Sequence, residues 1–199
     1  MVAGRAFWLV APYALWMARM LALPSTAWAY AVRTAAVAAL LCVALWRLRA
    51  VEWLRARFCW RDAAAGVAVG LAVFVVWILP EQFDWPLYRS LCIVGEGGTA
   101  AVAESDPALL AMRLAGSAFV IAVAEELFFR KWLVDFAGFW WMVALFAVEH
   151  DRWLVGAIAG IAYGLLARRR GLGAAVVAHV ATNLVLGAWV LRSGQWQFW

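Results

Sequence analysis

The sequence predicts an all-α fold, a polytopic transmembrane helical bundle of about seven spans that forms a single membrane domain over residues 1–199. Three observations carry that expectation. Of the 199 residues 68% are apolar and 15% charged, with a mean hydropathy of +0.84, too little polar surface for a soluble domain of this size. The apolar residues come in continuous runs, as helices crossing lipid require, and do not alternate as barrel strands do. The net charge of +5 comes from arginine, Lys131 being the sole lysine, and the arginines cluster between the runs. Such a composition excludes a secreted disulfide scaffold, a nucleic-acid reader built on a basic surface, and a disordered tail. Cys42, Cys59 and Cys92 lie in separate segments with no CxxC spacing and read as structural.

The first run, residues 6–23, follows Arg5 and ends at Pro24. Ala27-Trp28-Ala29 just beyond it resembles a signal-peptidase site, which makes a cleaved signal the alternative to a retained span. Arg19 near the end of the run, and a second run over residues 27–46 that follows at once as in a helical hairpin, favour retention. Residues 47–62 hold Arg47, Arg49, Arg55, Arg57 and Arg61 against Glu52 and Asp62, so the positive-inside rule makes this loop cytoplasmic. A third span over residues 63–79 stops at Pro80. The stretch 81–107 is comparatively acidic and belongs outside.

Ser105-Asp106-Pro107 supplies an N-cap followed by proline at the first helical position, opening a fourth helix to about Phe136. Gly138 breaks it. A short apolar piece follows over residues 139–150, then spans over 153–167 and 172–191, separated by Arg168-Arg169-Arg170. This arrangement puts the amino terminus inside, the carboxyl end outside, and Arg130, Lys131 and the arginine triplet on the same side as the loop beginning at Arg47. Residues 1–105 are then amino-terminal spans and loops, and residues 106–199 a four-helix core. Trp132, Trp140, Trp196 and Trp199 near span ends suit interfacial anchors. Gly156, Gly160 and Gly164 line one helical face and predict tight packing.

Ionisable groups inside hydrocarbon are costly and mark functional candidates. They occur in three places here. Glu125-Glu126-Leu127-Phe128-Phe129-Arg130 holds adjacent carboxylates that resist ionising together in lipid, the behaviour a general base near neutrality needs. Arg130 lies four residues after Glu126 and can pair with it, leaving Glu125 free for chemistry. Phe146-Ala147-Val148-Glu149-His150 and His179-Val180-Ala181-Thr182-Asn183 contain both histidines and the sole asparagine, with His179 and Asn183 on one helical face. Glu149, Asp151 and Arg152 read as span-end charges. Helical rise puts Glu125 roughly 8 Å from a boundary at Arg130, His179 roughly 13 Å from one at Arg170, and His150 roughly 16 Å from Phe139. One inward-facing cavity in the inner half of the bilayer could hold all three. An ion or proton pathway would use such a set, and so would a water-activating hydrolase.

Glu125-Glu126-xxx-Arg130, Phe146-xxx-His150 and His179-xxx-Asn183, in that order on successive apolar segments, resemble the three motifs of the CPBP family of intramembrane proteases, the type II CAAX prenyl endopeptidase and bacteriocin-processing group. The carboxyl end, residues 189–199 with Ser193-Gly194-Gln195-Trp196, is similar to the CAAX-protease-related branch associated with exosortase systems. The resemblance implies an intramembrane endopeptidase in which Glu125 and His150 activate water, His179 and Asn183 stabilise the oxyanion, and Glu126, Arg130 and Phe146 support them. It also implies a membrane-anchored or lipidated protein substrate, with a link to exosortase protein sorting. No nucleic-acid partner is expected. The location it suggests is the cell inner membrane, multi-pass, with a cytoplasmic amino terminus and the site opening toward the cytoplasmic half. A metal-free glutamate mechanism with no cofactor is favoured, although Glu125, His150 and His179 would be a chemically acceptable zinc set. A proton-coupled transporter and a non-catalytic assembly or immunity factor are the readings from other classes.

Overall fold

The computed structural model describes residues 2–22, 27–49, 59–93 and 107–198. The expected cap at Ser105 and Asp106, most of the basic loop after Arg47, and Trp199 fall outside these. Helices α1 (Val2–Ala22) and α2 (Ala27–Leu48) form an antiparallel pair, followed by α3 (Trp60–Gln82) and a short α4 (Pro86–Cys92). Next come a composite helix α5 (Pro107–Ala137), then α6 (Phe139–Val148), α7 (Trp153–Arg170), α8 (Leu172–Ser193) and a 3₁₀ turn over Trp196–Phe198. No strand occurs among the described residues, and the all-α membrane bundle is what the apolar runs predicted.

The span count differs. Among the described residues four helices are long and apolar enough to cross a membrane: residues 28–48 of α2, and α3, α5 and α8. With ten residues, α6 covers only about 15 Å. It folds back on α7, whose eighteen residues end in Arg168, Arg169 and Arg170. The α6–α7 hairpin thus packs beside long spans with Trp140, Trp141, Leu145 and Val148 of α6 exposed, and the glycine stripe explains how its other face is covered. A Cβ at Gly164 would meet Phe139 and Met142 at 2.7 and 2.8 Å, and at Gly160 and Gly156 it would press on Phe146 and His150 at 3.3 Å. Small residues on α7 therefore seat the face of α6 that carries Phe146 and His150.

A second stripe, Gly66 and Gly70 on α3, has the same GxxxG spacing. It lets α3 lie parallel to α8 at backbone contact, where a Cβ on Gly70 would run into the Ala178 carbonyl. Thr182 donates its hydroxyl across this seam to the Gly70 carbonyl (2.9 Å) or, within α8, to that of Ala178 (3.0 Å). Gly70→Ala is expected to cost about 1–3 kcal/mol through overpacking, read as a lowered Tm in detergent. An unchanged Tm would show that the two backbones do not touch.

Arginines gather at one end of the bundle. Arg47 lies over Trp8 of α1 at 5.8 Å, Arg168 over Phe139 at 4.8 Å, and Arg170 reaches Asp62 of α3 at 3.1 Å. Arg5 and Lys131 line one groove at the same end. Arg130 does not belong there, because its side chain is wholly buried. Within α5 two π-helical stretches, Gly116–Ile121 and Leu127–Leu133, flank a five-residue α-helical island, Ala122–Glu126. Such widened turns collect at functional sites, and this island carries the glutamate pair.

Candidate active site

Glu125 and Glu126 of α5 meet His179 of α8 on its two ring nitrogens. Nδ1 is 2.9 Å from Glu126 Oε1, and Nε2 is 3.7 Å from Glu125 Oε2. Glu126 Oε1 also lies 3.1 Å from Arg130 Nη1, with both of those side chains at 0% exposure. One turn of helix therefore supplies a carboxylate that holds the imidazole and a guanidinium that balances the carboxylate. The Arg130 guanidinium is further enclosed by Phe146, Tyr163 and Phe129, at 4.1, 5.4 and 5.6 Å from the three ring centroids, a geometry that stabilises a cation where water cannot. Tyr163 stacks on His179 at 5.0 Å and donates its hydroxyl to Thr182 at 2.6 Å, so the imidazole plane is fixed from α7 as well.

His150, in the turn after α6, is oriented by its own helix. Its Nδ1 lies 2.7 Å from the Phe146 carbonyl oxygen. A carbonyl only accepts, so Nδ1 carries the hydrogen and Nε2 keeps its lone pair. The ring sits between Phe146, at 4.7 Å, and Trp77 of α3, at 5.3 Å. Asn183 donates Nδ2–H to the Ser117 carbonyl at 2.9 Å, which fixes the amide while leaving a second hydrogen on the same nitrogen. That carbonyl belongs to the first π-helical stretch of α5. Phe146, anticipated only as a supporting residue, touches His150, His179 and Arg130 at once.

Glu125, His150, His179 and Asn183 line one cavity of about 190 Å³, bounded also by Trp77, Ser117, Leu186 and Phe198. The predicted set is brought together. The direction of the cavity is not the one expected. Trp77 on α3, Ser117 on α5, and Leu186 and Gly187 on α8 all lie toward the helix ends remote from the arginines, so the cavity runs away from the arginine-rich end. The depth estimate had taken Arg130 as a boundary, whereas α5 continues beyond it to Ala137 and buries it.

The span-end charges also differ from expectation. Arg152 is not a surface charge at a span end: it is paired with Glu81, both side chains are almost fully covered, and its guanidinium lies 4.7 Å from the centroid of Phe198. Glu149 is half-buried, with one carboxylate oxygen inaccessible, while Asp151 is exposed. Trp196 is partly buried against Ile78, Leu186 and Val190, whereas Trp140 is exposed. Among the described residues no group of three His, Cys, Asp or Glu side chains that could hold a metal ion is found. Sequence reasoning missed Ser117, Tyr163, Thr182 and Phe198. Only Thr182, a hydroxyl between His179 and Asn183, carried a signal.

Fold and site together define a class, an all-α membrane bundle with a cavity between its helices lined by Glu125, His150, His179 and Asn183. Residues 107–185, the stretch that carries Glu125, His150, His179 and Asn183, match the family model described as type II CAAX prenyl endopeptidase Rce1-like. No curated protein and no solved structure matches the chain.

Proposed function

We propose that the chain is an intramembrane endopeptidase of the CAAX-protease type, hydrolysing a peptide bond of a membrane-anchored or lipidated protein with water activated by Glu125. The observation that carries this reading is the Glu125 Oε2 atom. It is buried on the cavity wall, has no hydrogen-bond donor, and faces His179 Nε2 at 3.7 Å, beyond direct bonding distance. A buried acceptor of this kind is a seat for a water molecule.

In the reaction Glu125 takes a proton from that water as its oxygen attacks the scissile carbonyl carbon, and the free lone pair of His150 Nε2 helps to orient or deprotonate it. His179, held at Nδ1 by Glu126, presents Nε2 to the oxyanion as a hydrogen-bond donor. Asn183 supplies the second donor. Collapse of the tetrahedral intermediate breaks the C–N bond. The proton held by Glu125 passes to the leaving amine, giving one new carboxylate and one new amino terminus. No metal takes part. With the arginine-rich end in the cytoplasm of an inner-membrane protein, the cavity meets its substrate from the outer half of the bilayer.

The test is reconstitution in liposomes with a library of membrane-anchored peptides, fragments being identified by mass spectrometry. Wild type yields paired fragments, a chelator changes nothing, and Glu125→Ala, His150→Ala and His179→Ala yield none although folded. Wild-type cleavage by any one of the three rejects the assignment. Loss of cleavage with chelator, restored by zinc, replaces the glutamate mechanism with a zinc-dependent one.

A further inference from the structure

Residues 149–152, which join α6 to α7, are not helical, and His150 is one of them. Its bonds to α6 run from Nδ1 to the Phe146 carbonyl and from the backbone N–H to the Ala147 carbonyl at 3.1 Å. They orient the ring relative to α6 and do not set how far the link stands from Glu125 on α5. A reacting group misplaced by about 1 Å can cost about 10²-fold in rate, and a group carried on a loop is held to that tolerance only by outside support.

The support comes from α3. Trp77 and Glu81 are four residues apart and share a helical face. Trp77 meets the His150 ring edge to face, with centroids 5.3 Å apart, and Glu81 is paired with Arg152, two residues past His150. The end of α4 holds the same link. Ile93 forms an antiparallel backbone bridge with Arg152, and Trp153, the first residue of α7, donates its indole N–H to the Leu91 carbonyl at 2.9 Å. Both α3 and α4 lie outside the stretch that matches the family model.

Stability alone does not account for the ion pair. The Arg152 and Glu81 side chains are 7% and 6% exposed, so both charges are withdrawn from water, and apolar residues of similar volume often stabilise as well or better. What a hydrogen-bonded pair adds is register. Arg152 Nε donates to Glu81 Oε1, one point on α3, whereas apolar side chains slide past one another.

We propose that Glu81 and Arg152 are a positioning pair that fixes the place of His150 against α3, and with it the reach of His150 Nε2 to the water beside Glu125. The catalytic consequence rests on the endopeptidase reading. The placing of the ring does not.

The chain has two histidines, so full-length protein carrying ¹⁵N-histidine in liposomes gives one set of imidazole signals for His150 and one for His179, told apart with His179→Ala. Single neutralisations leave a buried charge without its partner. The working variant is therefore Glu81→Gln/Arg152→Met, whose methionine still packs on Phe198, 4.7 Å from the guanidinium it replaces. This double variant is expected to split or broaden the His150 signals, to leave those of His179 in place, and to lower kcat by about 10²-fold with KM unchanged. Arg152→Lys, which keeps a cation for Glu81, should retain a single His150 set and most of the turnover. Glu81→Asp keeps the pair but draws it one methylene toward α3, and should shift the His150 signals and lower kcat. If the double variant does not fold, Glu81→Asp decides alone. A purely structural pair predicts a lower Tm with unchanged His150 signals and unchanged kcat per folded molecule, and either of the two unchanged readouts overturns the proposal. Cleavage that survives Glu125→Ala overturns the endopeptidase reading, while the His150 signals still decide whether the pair places the ring, so the two failures are distinct.

Discussion

Glu125→Gln is expected to lower turnover by about 10²–10⁴-fold while the protein keeps, or gains, thermal stability. The two halves of that expectation have one cause. Glu125 is 7% exposed and its Oε2 has no donor, so its charge is held in the interior at a cost, beside a second carboxylate on the next residue. Glutamine keeps the shape and removes the charge. What vanishes is the acceptor of the water proton, which a neutral amide cannot replace. A group retained for packing would show the reverse, a drop in Tm with activity in proportion to folded protein. The check is single-turnover cleavage and a melting curve on the same preparation. His150→Ala in the Glu125→Gln background should add much less than it does alone, because groups acting on one water fail together. Additive losses would assign the two residues to separate steps.

How far this site could be read in advance depends on background. In a chain that is 68% apolar with two histidines, Glu125, His150, His179 and Asn183 stand out individually, and their motif spacing marks them as a set. The Glu126–Arg130 pairing was readable too, since four residues are one helical turn. What spacing does not carry is which partner lies across the gap. That His179 takes Glu126 on one nitrogen and faces Glu125 on the other depends on how α5 and α8 are rotated, and two π-helical stretches around Ala122–Glu126 alter that rotation. Charge was informative as a cluster and misleading as a single residue. Arg47, Lys131 and Arg168 to Arg170 do share one end of the bundle, whereas Arg130 and Arg152 are buried in pairs, and using Arg130 as a depth marker reversed the direction of the cavity. The hairpin of α6 and α7 was counted as two spans because hydropathy registers how apolar a run is, while the shortness of α6 follows from where the glycines of α7 let it pack.

Arg130→Ala is expected to be the most damaging single change to folding, about 3–5 kcal/mol, enough to prevent accumulation of a marginally stable membrane protein. The side chain makes an ion pair at 0% exposure and is stacked among three aromatic rings, so truncation removes the cation–π contacts and leaves the Glu126 charge buried without its cation. Arg130→Lys should fare little better, because an ammonium cannot lie flat on Phe146 while reaching Glu126. The informative variant is the pair Glu126→Gln with Arg130→Met. Replacing a buried ion pair by neutral groups of similar volume is often neutral for stability, so the double variant should accumulate and melt within a few degrees of wild type. It should nevertheless be slow by about 10²–10³-fold, since His179 Nδ1 then faces an uncharged amide in place of the carboxylate that holds the ring toward the oxyanion. Folded protein at wild-type turnover would reduce Glu126 and Arg130 to packing. Folded protein that is slow, and slower still with His179→Ala only by a small further factor, places the pair in the line that runs from Arg130 through Glu126 to the ring nitrogen facing the cavity.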